Sequence, residues 1–198
     1  MTSWFPTLYD LAMKPLETTR FKQLRTELVR SARGQVLEIG SGTGVNFPYY
    51  HNAEKVTAVE PNPLMSKRAF KRMKSTSVPV ELHETTAESL PFADNTFDTV
   101  IATLVFCTIP DPMKALAEIR RVSKPGADVL FFEHVQMKQP ILRKTQEFLN
   151  PFWKRVCDGC NLNRDTLSLI QRSGIEVKSV ESLYATLFLS IHSVNTKH

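Results

Sequence analysis

Val36-Leu37-Glu38-Ile39-Gly40-Ser41-Gly42-Thr43-Gly44 decides the fold of this chain. An apolar, β-type run ends there, and three of the chain's seven glycines follow at every second position. Glycine has no Cβ, so the backbone turns sharply and a ligand can lie against it. A glycine turn at the carboxyl end of a first strand is where open α/β sheets hold nucleotide-like cofactors. Glu60 closes the next apolar run and follows Gly40 by about 20 residues, the spacing at which a carboxylate meets a ribose diol. A carboxylate suits that position because it accepts hydrogen bonds from two adjacent hydroxyls.

Outward from this pair, apolar runs and helical stretches alternate. Asn62-Pro63 is an N-cap and first-turn proline opening a helix through Met65, Ala69 and Met73. Val80–His83 is a third strand and Phe97–Thr103 a fourth, joined by the loop Thr86-Ala87-Glu88-Ser89-Leu90-Pro91-Phe92. Asp111-Pro112 starts a further helix that stops at Lys124-Pro125-Gly126, and Val129–Glu133 is a fifth strand, apolar almost throughout. After a helix from about Asp165 to Gly174, Ile175–Leu183 and Leu187–Val194 pair as a hairpin, adding one antiparallel strand. The expected fold is α/β, an open, mostly parallel sheet with helices on its faces.

The chain of 198 residues, 42% hydrophobic and 23% charged, suits one soluble domain. We divide that domain, 1–198, into a covering helix or lid (1–33), a cofactor-binding core (34–134), and acceptor-side helices with the C-terminal hairpin (135–198). No apolar run nears the roughly 18 residues of a membrane span. The start, Met1-Thr2-Ser3-Trp4, lacks the pattern of a secretory leader, so a cytoplasmic protein is expected. Pro15 suits the first turn of the N-terminal helix, and Trp4 and Tyr9 precede it as side chains able to close over a ligand. The basic residues Arg20, Lys22, Arg25, Arg30 and Arg33 read as a solvated face, with weak contact to an anionic membrane as the sharper alternative. The net charge of +5 permits contact with anionic partners without establishing one. The basic run from Lys67 to Lys74 has no interleaved aromatic residues and is read as surface, so no nucleic acid is expected.

Gly40-x-Gly42-x-Gly44 is not the dinucleotide fingerprint, because its third glycine comes one residue early, and no Gly-Lys-Ser/Thr follows for a phosphate loop. The blocks VLEIGSGTG, AVEPNPLM, AESLPF, FDTV and RRVSKPGA occur in an order that resembles the class I S-adenosylmethionine-dependent methyltransferases over about residues 34 to 194. Glu133-His134-Val135, Asn150-Pro151-Phe152-Trp153-Lys154 and Asp158-Gly159-Cys160-Asn161-Leu162 are similar to one branch, the methyltransferase-like thiol S-methyltransferases, whose N-terminal membrane anchor is not expected here. The resemblance implies a Rossmann-like, doubly wound sheet of seven strands. It implies that Gly40, Ser41, Gly42 and Gly44 contact the methionine and ribose of S-adenosyl-L-methionine, with Glu38 near its ammonium end. Glu60 would take the ribose hydroxyls, with Pro61, Asn62 and Met65 beside the adenine and Thr86 and Ala87 at its edge. Ala102, Thr103 and Leu104 would line the floor under the methyl group.

The methyl acceptor is expected to be a small, fairly apolar molecule, a thiol by preference. Thr103-Leu104-Val105-Phe106 stands where amino-group methyltransferases of nucleic acid or glutamine carry Asp/Asn-Pro-Pro-Tyr. Quinone or phospholipid headgroup methylation, and cofactor binding without transfer, are the alternatives. His134 is the candidate base, and Asp158 and Asn161 are candidates to orient it or the acceptor. Cys157-Asp158-Gly159-Cys160 has metal-ligand spacing, but no second pair exists, so no metal is expected; Cys107 is the one further cysteine. Ile141, Leu142, Phe148, Leu149, Phe152 and Trp153 form a helix expected to cover the core or wall the acceptor pocket.

Overall fold

The computed structural model describes residues 20–197; the readings of Trp4, Tyr9 and Pro15 lie outside the described residues. Seven strands form one sheet: β1 (Gly34–Ile39), β2 (Ala53–Val59), β3 (Val80–His83), β4 (Phe97–Thr103), β5 (Ser123–His134), β6 (Ile175–Leu183) and β7 (Phe188–Asn195). Their order is β3-β2-β1-β4-β5-β7-β6. All neighbours are parallel except that β7 runs antiparallel to β5 and β6. The chain thus winds outward from β1 in both directions, and the expected fold is the observed one. The order reverses between β1 and β4, which places a crevice at their carboxyl ends, where such sheets bind ligands.

The two faces of the sheet follow from the period of two along a strand. Leu37, Ile39, Val100 and Phe131 pack on one side with Leu116 and Ile119 of helix α3 (Pro112–Val122) and Ile170 of α5 (Thr166–Arg172). Val36, Val56, Ile101 and Phe132 pack on the other with Phe21 and Val29 of α1 (Arg20–Ser31) and Ala69 of α2 (Pro63–Met73). Asn62, Asp111 and Asp165 each accept a backbone N–H in the first turn of the helix they cap. The helix expected to run to Lys124-Pro125-Gly126 ends at Val122 instead, and β5 begins at Ser123. Ser123 already pairs with Phe97, and the register then slips so that Asp128 meets Thr99. The slip absorbs Pro125 and the left-handed Gly126 (φ 79°) without breaking the strand.

Two basic residues read as surface bond inward. Arg25 is buried and donates to Asn46 Oδ1 at 2.7 Å. Arg72 reaches back from α2 to the Thr43 carbonyl at 2.6 Å, pinning the glycine turn.

Helix α4 (Pro140–Val156) departs furthest from expectation. Ile141, Phe148 and Phe152 are 80, 84 and 69% exposed, so the helix neither covers the core nor walls a pocket through them. Its one buried side chain is Gln146, which donates to the carbonyls of Val135 and Leu162 and accepts from the Met137 amide. Polar bonds rather than apolar burial hold it in place. No helix among the described residues is long and apolar enough to cross a membrane.

Candidate active site

The turn after β1 is built from backbone. The amides of Gly40 and Ser41 both donate to the Val59 carbonyl, and Gly44 donates back to Ser41. Gly40, Gly42 and Gly44 have φ of 64, 56 and 76°, the left-handed region. Their surroundings separate their tasks. A Cβ on Gly40 would come 2.1 Å from Val105 Cγ2, and one on Gly44 would come 2.7 Å from the Phe47 ring. A Cβ on Gly42 would meet nothing within 4 Å. Gly40 and Gly44 are glycines because protein packs against them, whereas Gly42 faces open space.

Glu60 stands opposite. Its Oε2 accepts from the Gly42 amide at 2.8 Å and its Oε1 from the Asn62 amide at 2.9 Å. An ionised carboxylate offers about four lone-pair directions, so two remain. Burial raises the Glu60 pKa, the two amides oppose that, and the Asp158 carboxylate raises it further. Asp158 therefore acts electrostatically on Glu60. Met65, Asn62 and Ala87 are buried, while Pro61 and Thr86 are exposed. Ser41 Oγ is buried with no hydrogen-bond partner. An open glycine, a half-satisfied carboxylate and an orphaned hydroxyl suit a ligand that carries hydroxyls and a polar amino-acid end.

Glu38 is sealed beneath the turn. Asn46 Nδ2 donates to its Oε1 at 2.8 Å and Tyr50 Oη to its Oε2 at 2.9 Å. Asn46 also donates to Thr103 Oγ1, tying β1 to the end of β4. Burial pushes the Glu38 pKa up to about 7, against those hydrogen bonds and the Arg25 charge.

The ends of β4 and β5 make the second half of the site. Leu104 takes a left-handed φ of 54°, and the chain turns so that Val105 and Phe106 both donate to Glu133 Oε1. Burial pushes Glu133 up to about 7 as well. Arg164 donates to the carbonyls of Phe106 and Ile109, and Asn161 Nδ2 to that of Cys107, so the loop after β4 is held from three sides. His134 Nε2 lies 3.1 Å from Cys160 Sγ, to which Trp153 Nε1 also donates at 3.3 Å. One ligand atom each from Cys107, His134 and Cys160 falls within 4.8 Å of the others. The Cys107 thiol, then His134 and Trp153, hold Cys160 down to about 4 despite burial, and Cys107 is pushed up in turn. Burial alone would lower the His134 pKa; its bond to the Cys160 sulfur outweighs that and raises it.

The residues named from sequence therefore fall into three places. Gly40, Ser41, Gly42 and Gly44 lie on the turn after β1, Glu60, Pro61, Asn62 and Met65 from the end of β2 into the start of α2, and Thr86 and Ala87 in the loop after β3; Thr103 ends β4 and Leu104 follows it; Glu38 is buried in β1. His134 meets Cys160 rather than Asp158, and Asn161 holds the Cys107 backbone rather than the imidazole. Asn46, Tyr50, Arg72, Glu133 and Arg164 carried no role in the sequence reading, since nothing local in sequence points to their partners. Two concavities of about 420 and 470 Å³ lie elsewhere, and neither includes a residue of the glycine turn.

Comparison with known proteins gives the family. Residues 37–131 match the model of a methyltransferase domain. The chain is 36% identical over 184 residues to the thiol S-methyltransferase TMT1B of Rattus norvegicus, covering 86% of this chain and 75% of the relative. It is 30% identical over 195 residues to TMT1A of Homo sapiens, covering 93 and 80%. A methyltransferase solved in complex with the Haloferax volcanii Trm112 activator superposes with a TM-score of 0.76 at 15% identity, covering 98% of this chain and 97% of that one. The chain belongs to the class I S-adenosylmethionine-dependent methyltransferases, close to their thiol S-methyltransferase branch. Its cofactor is S-adenosyl-L-methionine.

Proposed function

We propose that the chain methylates a small, fairly apolar thiol. The bound cofactor supplies a methyl group on a positively charged sulfur, an electrophile that needs alignment more than activation. In this reading Gly42, Ser41 and Glu60 hold the cofactor, Thr103 and Leu104 set the depth of the methyl, and Glu38 keeps the turn in register. A thiol must lose its proton, because the thiolate is the nucleophile, and in this reading His134 serves that step. The observation that carries the acceptor reading is the make-up of this edge, where the sulfurs of Cys107 and Cys160 stand beside the imidazole of His134. Asp158 contributes in this reading through its charge beside Glu60, not as a base.

A panel of thiols, quinones, amines and arsenite, scored by S-adenosylhomocysteine release, tests the proposal; turnover confined to non-thiols would overturn it. His134→Ala should lower thiol turnover by about 10²–10⁴-fold near neutral pH, with cofactor affinity unchanged. The deficit should shrink at higher pH, where the free thiol ionises unaided.

One observation favours a second reading, an acceptor presented by a membrane. The exposed apolar residues of α4 are flanked by Lys144, Lys154 and Arg155, a pattern suited to an anionic lipid surface. A phosphatidylethanolamine N-methyltransferase of Cereibacter sphaeroides is 32% identical over 126 residues. Binding to anionic vesicles that is lost at high salt would support this reading; no binding would remove it.

A further inference from the structure

We propose that Cys107 Sγ, His134 Nε2 and Cys160 Sγ form a binding site for a thiophilic divalent cation of the zinc type, with a fourth position left for a thiol. The fourth-position part rests on the thiol reading above; the three-residue site does not.

The three atoms come from the loop after β4, the end of β5 and the loop after α4, so only the fold assembles them. They lie within 4.8 Å of one another, with His134 Nε2 and Cys160 Sγ already 3.1 Å apart. Zinc bonds of about 2.3 Å to sulfur and about 2.0 Å to nitrogen set tetrahedral N···S and S···S edges of about 3.6 and 3.8 Å. The His134–Cys160 edge would lengthen by about half an ångström to admit the ion, and an edge near 4.8 Å would shorten by about 1 Å. Its frame is rigid: Asn161 fixes Cys107 through two bonds to the Cys107 carbonyl, and Cys107 and Cys160 are both buried. Of the three, His134 alone keeps some exposure, which leaves an entry path.

The polarity of the cluster favours a cation. The Trp153 indole donates to Cys160 Sγ at 3.3 Å, and His134 Nε2 lies 3.1 Å from the same sulfur. The Cys107 thiol donates to the Leu104 carbonyl beside them. A divalent ion is bound by one neutral imidazole nitrogen and two thiolates, so each protonated ligand gives its proton to solvent as the ion enters. Charge balances, since two thiolates neutralise M²⁺. A thiol entering the fourth position loses its proton in the same way. In that state the ion activates the thiol, and His134 holds the ion.

Cobalt(II) serves as the probe, added to the full chain with cysteines reduced and metal removed. One equivalent per chain should give thiolate-to-cobalt charge-transfer absorption, displaced by one equivalent of Zn²⁺. The absorption should vanish in Cys107→Ser and Cys160→Ser and be unchanged in Cys157→Ser. Removing an outer-shell partner typically weakens metal binding by about 10–100-fold, so His134→Gln, which removes a ligand, should weaken it by at least about 100-fold. Calorimetric binding of S-adenosylmethionine reports that each variant is folded. No absorption in the wild type, or absorption that survives the double serine variant, would overturn the site. Adding 2-mercaptoethanol should shift the cobalt bands, and an unmoved spectrum would overturn the open position. Thiol turnover that survives complete metal removal would likewise overturn the ion's part in activating the thiol. Cobalt binding with no turnover on any thiol would instead remove the thiol reading and leave the metal site standing.

Discussion

Single residues of the glycine turn have separable tasks, and substitution should expose the difference. Gly40→Ala forces a Cβ into Val105 at a left-handed φ and should cost about 2–4 kcal/mol of stability, read as a fall in denaturation midpoint without ligand. Gly42→Val adds only backbone strain, about 1–2 kcal/mol, yet places its side chain where nothing else stands; calorimetry should find no cofactor binding to a folded protein. Glu60→Ala should weaken cofactor binding by about 1.5–3 kcal/mol, the range for hydrogen bonds to a charged group. Glu60→Gln should not rescue it, because an amide cannot accept from both Gly42 and Asn62. These residues were legible in sequence because the turn is local and Glu60 is one strand away. Cys107 and Cys160, 53 positions apart by their numbers, were not. The Cys-x-x-Cys spacing pointed instead to Cys157, whose thiol is outside the cluster.

At the level of elements, the strands and caps were readable because period-two burial and capping chemistry are written locally. Tertiary partners were not: Arg25 reads as a helix-surface charge until Asn46 is placed beside it. Helix α4 was misjudged for a related reason, since an apolar stripe signals burial only if something faces it. With Gln146 as its main clasp, α4 should detach readily. Gln146→Leu leaves the Val135 and Leu162 carbonyls and the Met137 amide without their partner, at about 1 kcal/mol each. Hydrogen exchange should quicken across 140–156 in that variant, while the amides of β1 and β4 and the affinity for S-adenosylmethionine stay as they were.

For the whole molecule, buried carboxylates make stability pH-dependent. Glu38 is raised to about 7 from an ordinary 4.5, so its contribution is full below about 4.5 and is lost as pH rises through about 7. Cys160, held near 4, acts in the opposite sense, and only a comparison isolates the carboxylate. Glu38→Gln should gain on the wild type by up to about 3 kcal/mol between pH 4.5 and 7.5, measured by urea denaturation without cofactor; a constant difference would show that Glu38 does not titrate there. The sheet order carries a further consequence, for synthesis. β7 is made last but sits between β5 and β6, and β6 pairs with β7 alone. While the ribosome is still extending the chain, β5 is an open edge and β6 has no neighbour. Two of the seven strands therefore stay unplaced until Phe188–Asn195 has emerged.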